Sequence, residues 1–199
     1  MTFSDLCRLV AEDYRRHGSR WHERGVWALA VYRFGNWADS RSNPLVRSLF
    51  SKVYAALDTL SQITTGVTMN RDVRIGEGLH LIHTGIIIIH PDVVIGDRVG
   101  IAQNVTIGTN MGPEVPIIGD DAFIGAGACI IGKVRIGKGA RVGANSLVIN
   151  DVPDGCVAVG VPAKVLRSSR PSQKPSAAGA ASDSRQVQRD ASASSESTA

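Results

Sequence analysis

The chain has 199 residues, is 43% hydrophobic but only 5% aromatic, and carries 21 glycines and a formal charge of +4. That is enough for one sizeable core built from small aliphatic side chains. No lysine and arginine run interleaved with aromatics is present, which argues against a nucleic-acid surface. No apolar run approaches the ~18–20 residues needed to span a bilayer.

The amino terminus lacks the apolar core of a signal peptide. The three cysteines, Cys7, Cys129 and Cys156, form neither a CxxC pair nor a zinc spacing. They read as buried or inert thiols of a cytoplasmic protein in a reducing compartment.

Residues 1–63 read as helical. Ser4 is placed to cap a first helix, with Leu6, Leu9, Val10 and Tyr14 at helical spacing. In "GVWALAVYRFGNWAD", Trp27, Val31, Phe34 and Trp37 fall along one predicted face. A third helix opens near Asn43-Pro44 and is expected to bury Leu45, Leu49, Val53, Ala56 and Leu57. The tryptophans read as packing residues, although an aromatic, basic helical region could also meet a membrane surface or a partner helix. The last segment, 168–199, is rich in serine and alanine and poor in large apolar residues, and is expected to be disordered.

Residues 64–167 carry the main signal. From Ile118 an aliphatic residue returns at every sixth position: Ile124, Ile130, Ile136, Val142, Val148. An earlier block runs Ile89, Ile95, Ile101, Ile107, preceded by Ile75 and Leu81, and glycine follows many of these residues. A period of six fits neither a helix nor an alternating strand. It fits the hexapeptide repeat of a parallel β-helix, in which three short strands make one triangular coil and stacking buries a continuous aliphatic core.

The period breaks twice. Leu81 to Ile89 is eight residues, spanning Ile82-His83-Thr84-Gly85, and Ile107 to Ile118 is eleven, with two glycines and two prolines between. Insertions in a repeat scaffold tend to mark its functional face. His83 therefore stands out as a side chain free to project into a groove, whereas His80 and His90 read as ordinary outward strand positions. No carboxylate or cysteine completes a ligand set with these histidines, so no metal is expected.

The landmarks "IGEGLHLIHTG" (75–85), "VGIAQNVTIG" (99–108), "IGAGACIIGKVRIGKGARVGANSLV" (124–148) and "AVGVPAKVL" (158–166) resemble the serine O-acetyltransferase family of hexapeptide acyltransferases. The resemblance spans about half the chain. It implies a left-handed β-helix, acetyl-CoA as co-substrate, a homotrimer that could pair further, and sites in clefts between neighbouring coils.

On that resemblance His83 is the general base, for which a histidine near neutral pKa is suited. The family's supporting aspartate fifteen residues earlier is Thr68 here, and the substrate aspartate before the base is Ile82. The family's Arg-His-Pro loop reads Glu114-Val115-Pro116. The remaining substrate position is Thr84. The cofactor positions are Thr109, Ala126, Gly127, Ala144, Pro162 and Lys164.

Loss of the two carboxylates makes a sugar hydroxyl of a polysaccharide or glycoconjugate the expected acceptor, as in exopolysaccharide or colanic-acid-type acetyltransferases, with L-serine as the alternative. A non-catalytic scaffold is the rival of another class. A γ-carbonic-anhydrase-like use of the fold would need zinc-holding histidines on adjacent coils, and none follows His90.

Overall fold

The computed structural model describes residues 1–166; the segment 168–199, expected to be disordered, lies outside the described residues. Three helices come first: α1 (Phe3–Arg16), α2 (Arg24–Asp39) and α3 (Pro44–Thr65). Thr2, not Ser4, caps α1. Its hydroxyl accepts the Asp5 N–H while the Asp5 carboxylate accepts the Thr2 N–H, a reciprocal capping box. Asn43 caps α3 with Pro44 in the first turn, as the sequence suggests.

Five coils of parallel β-helix follow. The first is β1 (Val67–Met69), β2 (Arg74–Ile75) and β3 (His80–Ile82). The second is β4 (Ile87–Ile89), β5 (Val94–Ile95) and β6 (Gly100–Ala102), and the third β7 (Thr106–Gly108), β8 (Ile117–Ile118) and β9 (Phe123–Ile124). The fourth is β10 (Cys129–Ile131), β11 (Arg135–Ile136) and β12 (Arg141–Val142). The last has β13 (Leu147–Val148) and β14 (Val157–Gly160), after which β15 (Ala163–Leu166) folds back antiparallel on β14. The three prism sides are the sheets β1-β4-β7-β10-β13, β2-β5-β8-β11 and β3-β6-β9-β12-β14-β15.

Each hexapeptide contributes two inward residues rather than one. The conspicuous row runs through Ile95, Ile101, Ile107, Ile118, Ile124, Ile130 and Ile136, all buried. A second row, two residues earlier, runs through Val93, Val99, Val105, Ala122, Ala128, Val134 and Ala140, all buried. Leu79 to Ile87 and Leu81 to Ile89 both skip eight residues, and β1 and β4 still align Val67 with Ile87 and Met69 with Ile89. The two extra residues therefore sit wholly in the corner between β3 and β4.

Glycine after the inward aliphatic is explained by coil-to-coil approach. A Cβ on Gly76 would lie 2.7 Å from the Gly96 carbonyl carbon, and one on Gly125 would lie 2.7 Å from the Ala144 nitrogen. Such contacts would force the coils apart.

The helices cap the open first coil, whose outer backbone edge has no coil beneath it. Leu29 and Tyr32 of α2 enter the same apolar cluster as Val67, Met69, Val73 and Leu79. Side chains satisfy the edge itself: Tyr32 Oη donates to the Val73 carbonyl at 2.6 Å, and Arg33 donates to the Ile75 and Gly76 carbonyls at 3.0 and 2.5 Å. Arg33 also pairs with Asp13 of α1 at 2.9 Å, both buried. Burial pushes the Asp13 carboxyl up, and Arg33 draws it back. An unpaired edge is a liability for any sheet, and here it is closed by a helical cap.

Two face assignments differ from the sequence expectation. In α2 the buried residues are Gly25, Val26, Ala28, Leu29, Tyr32, Arg33, Gly35 and Ala38, while Trp27 is exposed. In α3 every residue expected to be buried (Leu45, Leu49, Val53, Ala56 and Leu57) is exposed, and Tyr54, Ser61 and Thr65 face the protein instead. Cys7 is exposed and Cys129 and Cys156 are half-buried, so the thiols are not uniformly interior.

Candidate active site

The corner between the β3 sheet and the β1 sheet recurs in each coil, and each time one residue adopts a left-handed backbone. These residues are His83 (φ 56°), Asn104 (φ 60°), Gly127 (φ 72°) and Asn145 (φ 55°). Asparagine and glycine tolerate this region best, and histidine more readily than most others. In the later coils the left-handed residue lies three positions after the inward aliphatic, Ile101, Ile124 or Val142. In the lengthened first corner it lies only two after Leu81. The conformation belongs to the repeat, but the early turn and the histidine are particular to this corner. His83 is exposed. Its corner stacks directly over the next, since a Cβ on Gly85 would sit 3.2 Å from Gln103 Cβ.

The strand leading to His83 is held from beneath. The Leu81 N–H donates to Nε2 of the buried His17 at 3.2 Å. Because Nε2 accepts, the proton is on Nδ1, which donates to the Asp13 carbonyl at 2.7 Å. His80 packs edge-on against His17, with ring centroids 4.7 Å apart. It is thus half-buried and not the plain outward residue expected from its register. Burial above all, with the neighbouring His17, Arg16 and His83 adding to it, pushes its imidazole down to about 4. His90, just past β4, accepts the Asp92 N–H at 3.3 Å and plays no part in this arrangement.

The outer face of the β3 sheet carries a shallow groove of about 380 Å³. It is lined by Ala102, Phe123, Gly125, Ala126, Arg141, Val142, Gly143, Ala144 and Val157. Two of the expected cofactor positions, Ala126 and Ala144, line it, and Gly127 adjoins Ala126 at the left-handed corner. Arg141 lies over the Phe123 ring, 4.6 Å from its centroid. Arg141 is a groove cation that spacing alone does not single out, since it occupies an ordinary outward position. Ile82 pairs with Ala102 across β3 and β6 and so links His83 to the groove. Lys164 is exposed on β15 opposite Val159, past the turn containing Pro162. Thr84 is half-buried in the His83 corner.

Thr68 is exposed on β1, and its lateral neighbours are Ile88, then Thr106 and Cys129. Thr109 and Glu114 belong to the long corner between β7 and β8, a different edge of the prism from His83. There the Thr109 hydroxyl accepts the Met111 N–H at 3.1 Å, and Glu114 pairs with Lys133 at 2.6 Å. Within one copy of the chain, therefore, these two residues do not meet His83. Among the described residues no group of three or more histidine, cysteine, aspartate or glutamate side chains could hold a metal ion, and no helix is long and apolar enough to cross a membrane.

Comparison with known proteins places this geometry. The family described as bacterial transferase hexapeptide (six repeats) matches residues 116–150. The chain is 32% identical over 148 residues to the serine acetyltransferase of Synechococcus elongatus, an alignment covering 73% of this chain and 58% of that protein. It is 33% identical over 149 residues to the serine acetyltransferase of Helicobacter pylori strain J99, covering 73% of this chain and 83% of that protein. A solved serine acetyltransferase in complex with CoA superposes with a TM-score of 0.71 at 27% identity, over 82% of this chain and 71% of that one.

The relatives correct the expected acceptor, because they are serine acetyltransferases and not polysaccharide-modifying enzymes. The missing carboxylates at Thr68 and Ile82 remove charge, but the loss of charge does not by itself supply the row of hydroxyl partners that a sugar needs. By the hexapeptide coils and these alignments, the chain belongs to the serine acetyltransferase family.

Proposed function

We propose that this chain is an acetyl-CoA-dependent serine O-acetyltransferase with His83 as its general base. The observation that carries the reading is an exposed histidine at a lengthened left-handed corner, at the end of the strand whose neighbour Ala102 lines a groove of glycine and alanine. The neutral imidazole takes the proton of the serine hydroxyl as that oxygen attacks the thioester carbonyl carbon. The tetrahedral intermediate then collapses with cleavage of the C–S bond, and the protonated imidazole returns its proton to the departing thiolate of coenzyme A.

Small side chains at Ala126, Gly127 and Ala144 let the pantetheine arm lie close to the coils. Pro162 and Lys164, with Arg141, flank the end where coenzyme A phosphates would find positive charge. Thr84 and Ile82 shape the acceptor side. Thr68 offers a hydroxyl where the family has a carboxylate. Glu114 and Thr109, being on another edge, serve the His83 site of a neighbouring copy in a trimer.

The test is release of coenzyme A from acetyl-CoA by purified protein with L-serine, beside His83→Asn, which keeps the left-handed corner but carries no base. Serine-dependent turnover, reduced roughly 10²–10⁴-fold in the variant, is the expected result. Absence of turnover despite acetyl-CoA binding would overturn the acceptor. Absence of acetyl-CoA binding would favour the non-catalytic scaffold.

A further inference from the structure

The inward residues Leu81, Ile101, Ile124 and Val142 are in register across β3, β6, β9 and β12. Two residues after each, at the turn out of the sheet, stand His83, Gln103, Ala126 and Ala144. Neighbouring strands are ~4.8 Å apart. Gln103 is therefore one coil from His83 and one coil from Ala126, the first of these positions to line the groove. Gln103 is half-buried and abuts the His83 corner, since a Cβ on Gly85 would lie 3.2 Å from Gln103 Cβ and 3.9 Å from its Cγ.

A backbone donor opens at the same place. In the later corners the left-handed residue donates to the coil before it: the Gly127 N–H to the Gln103 carbonyl at 2.9 Å, and the Asn145 N–H to the Ala126 carbonyl at 2.8 Å. The corresponding donor one coil earlier is Asn104. Among the described residues its N–H makes no such bond, to the His83 carbonyl or to any other. His83 enters the left-handed turn one position early, and this rung of the ladder is broken.

We infer that the side-chain amide of Gln103 donates to the carbonyl oxygen of the acetyl thioester, with the Asn104 N–H as second donor, so that the pair holds the oxyanion formed on attack. This rests on the proposed acetyl transfer at His83. The thioester carbonyl must lie within reach both of the hydroxyl that His83 deprotonates and of the thiol arm on the small residues, and Gln103 occupies the coil between them. As the hydroxyl oxygen bonds to the carbonyl carbon, the carbonyl π pair moves onto its own oxygen. It returns as the C–S bond breaks, and no proton passes through Gln103. A primary amide suits the role because it donates without titrating, so it neither competes with the imidazole for the proton nor opposes the developing negative charge.

The test binds acetyl-CoA, labelled with ¹³C at the thioester carbonyl, to the whole protein and reads the carbonyl stretch by isotope-edited infrared spectroscopy. Wild type is compared with Gln103→Leu and with Gln103→Glu, which keeps the shape but has no donor when ionised. A hydrogen-bonded carbonyl absorbs at lower wavenumber, so the band is expected lower in the wild type than in either variant. With L-serine, kcat should fall roughly 10–10²-fold in both variants. That is less than the ~10²–10³ lost with a buried oxyanion donor, because the Asn104 N–H remains. Acetyl-CoA affinity should change far less than kcat, and in Gln103→Leu the acidic limb of the pH profile should stay in place, since the base is untouched.

The same band in all three proteins would overturn the inference and leave the serine reading intact. So would variants that lose acetyl-CoA affinity at unchanged kcat. A band lowered only in the wild type, without turnover of serine, would uphold Gln103 and overturn serine as the acceptor. Wild-type protein that does not bind acetyl-CoA would overturn both.

Discussion

His17 and Leu81 are joined across 64 residues of sequence, the amide of Leu81 donating to Nε2 of a buried imidazole at 3.2 Å. Leu81 lies on the free edge of the first coil, two residues before His83, so the helical cap and the proposed base share one short strand. Replacing His17 by alanine leaves a buried amide without a partner, which costs about 1–3 kcal/mol. Thermal unfolding should drop by roughly 2–4 °C for each kcal/mol lost. His17→Gln keeps an acceptor and should recover part of the stability. If His17 also positions the corner, kcat with serine should fall in the alanine variant and return with glutamine, while the KM for acetyl-CoA stays unchanged.

The Asp13–Arg33 pair anchors the same cap. Arg33 meets one carboxylate and two coil-edge carbonyls while buried. Arg33→Met leaves Asp13 as an uncompensated buried charge and strips both carbonyls of their donor. A loss of about 3–5 kcal/mol is expected, read from the urea midpoint at constant m-value. Asp13→Asn retains a polar partner for the guanidinium and should cost less. Equal losses for the two variants would mean that the carboxylate charge, and not the carbonyl capping, dominates.

Stability should also depend on pH through His80. Its imidazole is held down to about 4 in the folded chain, against ~6.5 when unfolded. Between those values the unfolded state binds the extra proton, so unfolding free energy rises with pH in that window. The contribution is complete above pH ~6.5 and is lost as pH falls toward about 4. His80→Gln should flatten the difference between urea titrations at pH ~4.5 and ~7. An unchanged pH slope in the variant would assign the dependence to another group.

The inward row at Ile118, Ile124 and Ile130 was legible because a bulky aliphatic at every sixth position has no other structural explanation. The second row is less legible because alanine, as at Ala122, Ala128 and Ala140, does not stand out by composition; its spacing of four after each aliphatic is the available signal. In α3 the expected buried face is exposed, because spacing tells which residues share a face, not what that face meets. The cap through His17, Asp13 and Arg33 depends on pairings over 20 to 64 residues, and no local pattern encodes them. His83 was visible because it sits where a regular repeat lengthens. The acceptor is not legible in the same way, because missing carboxylates are not a positive signature of a sugar.

Thr68 offers the sharpest check on the proposed chemistry. Its hydroxyl can accept or donate a hydrogen bond but adds no negative charge for an imidazolium forming at His83. In a comparable base–orienter pair, replacing the carboxylate by a neutral amide costs about 10⁴ in kcat. Thr68 is exposed, and solvent screens much of that effect, so Thr68→Asp should raise kcat with serine by about tenfold rather than by the full amount. The pH profile separates this from a packing effect. A carboxylate favours the charged imidazole, so the acidic limb of kcat/KM should move to higher pH in Thr68→Asp and stay in place in Thr68→Ser. An aspartate that changes neither kcat nor the limb would mean that position 68 does not face the base.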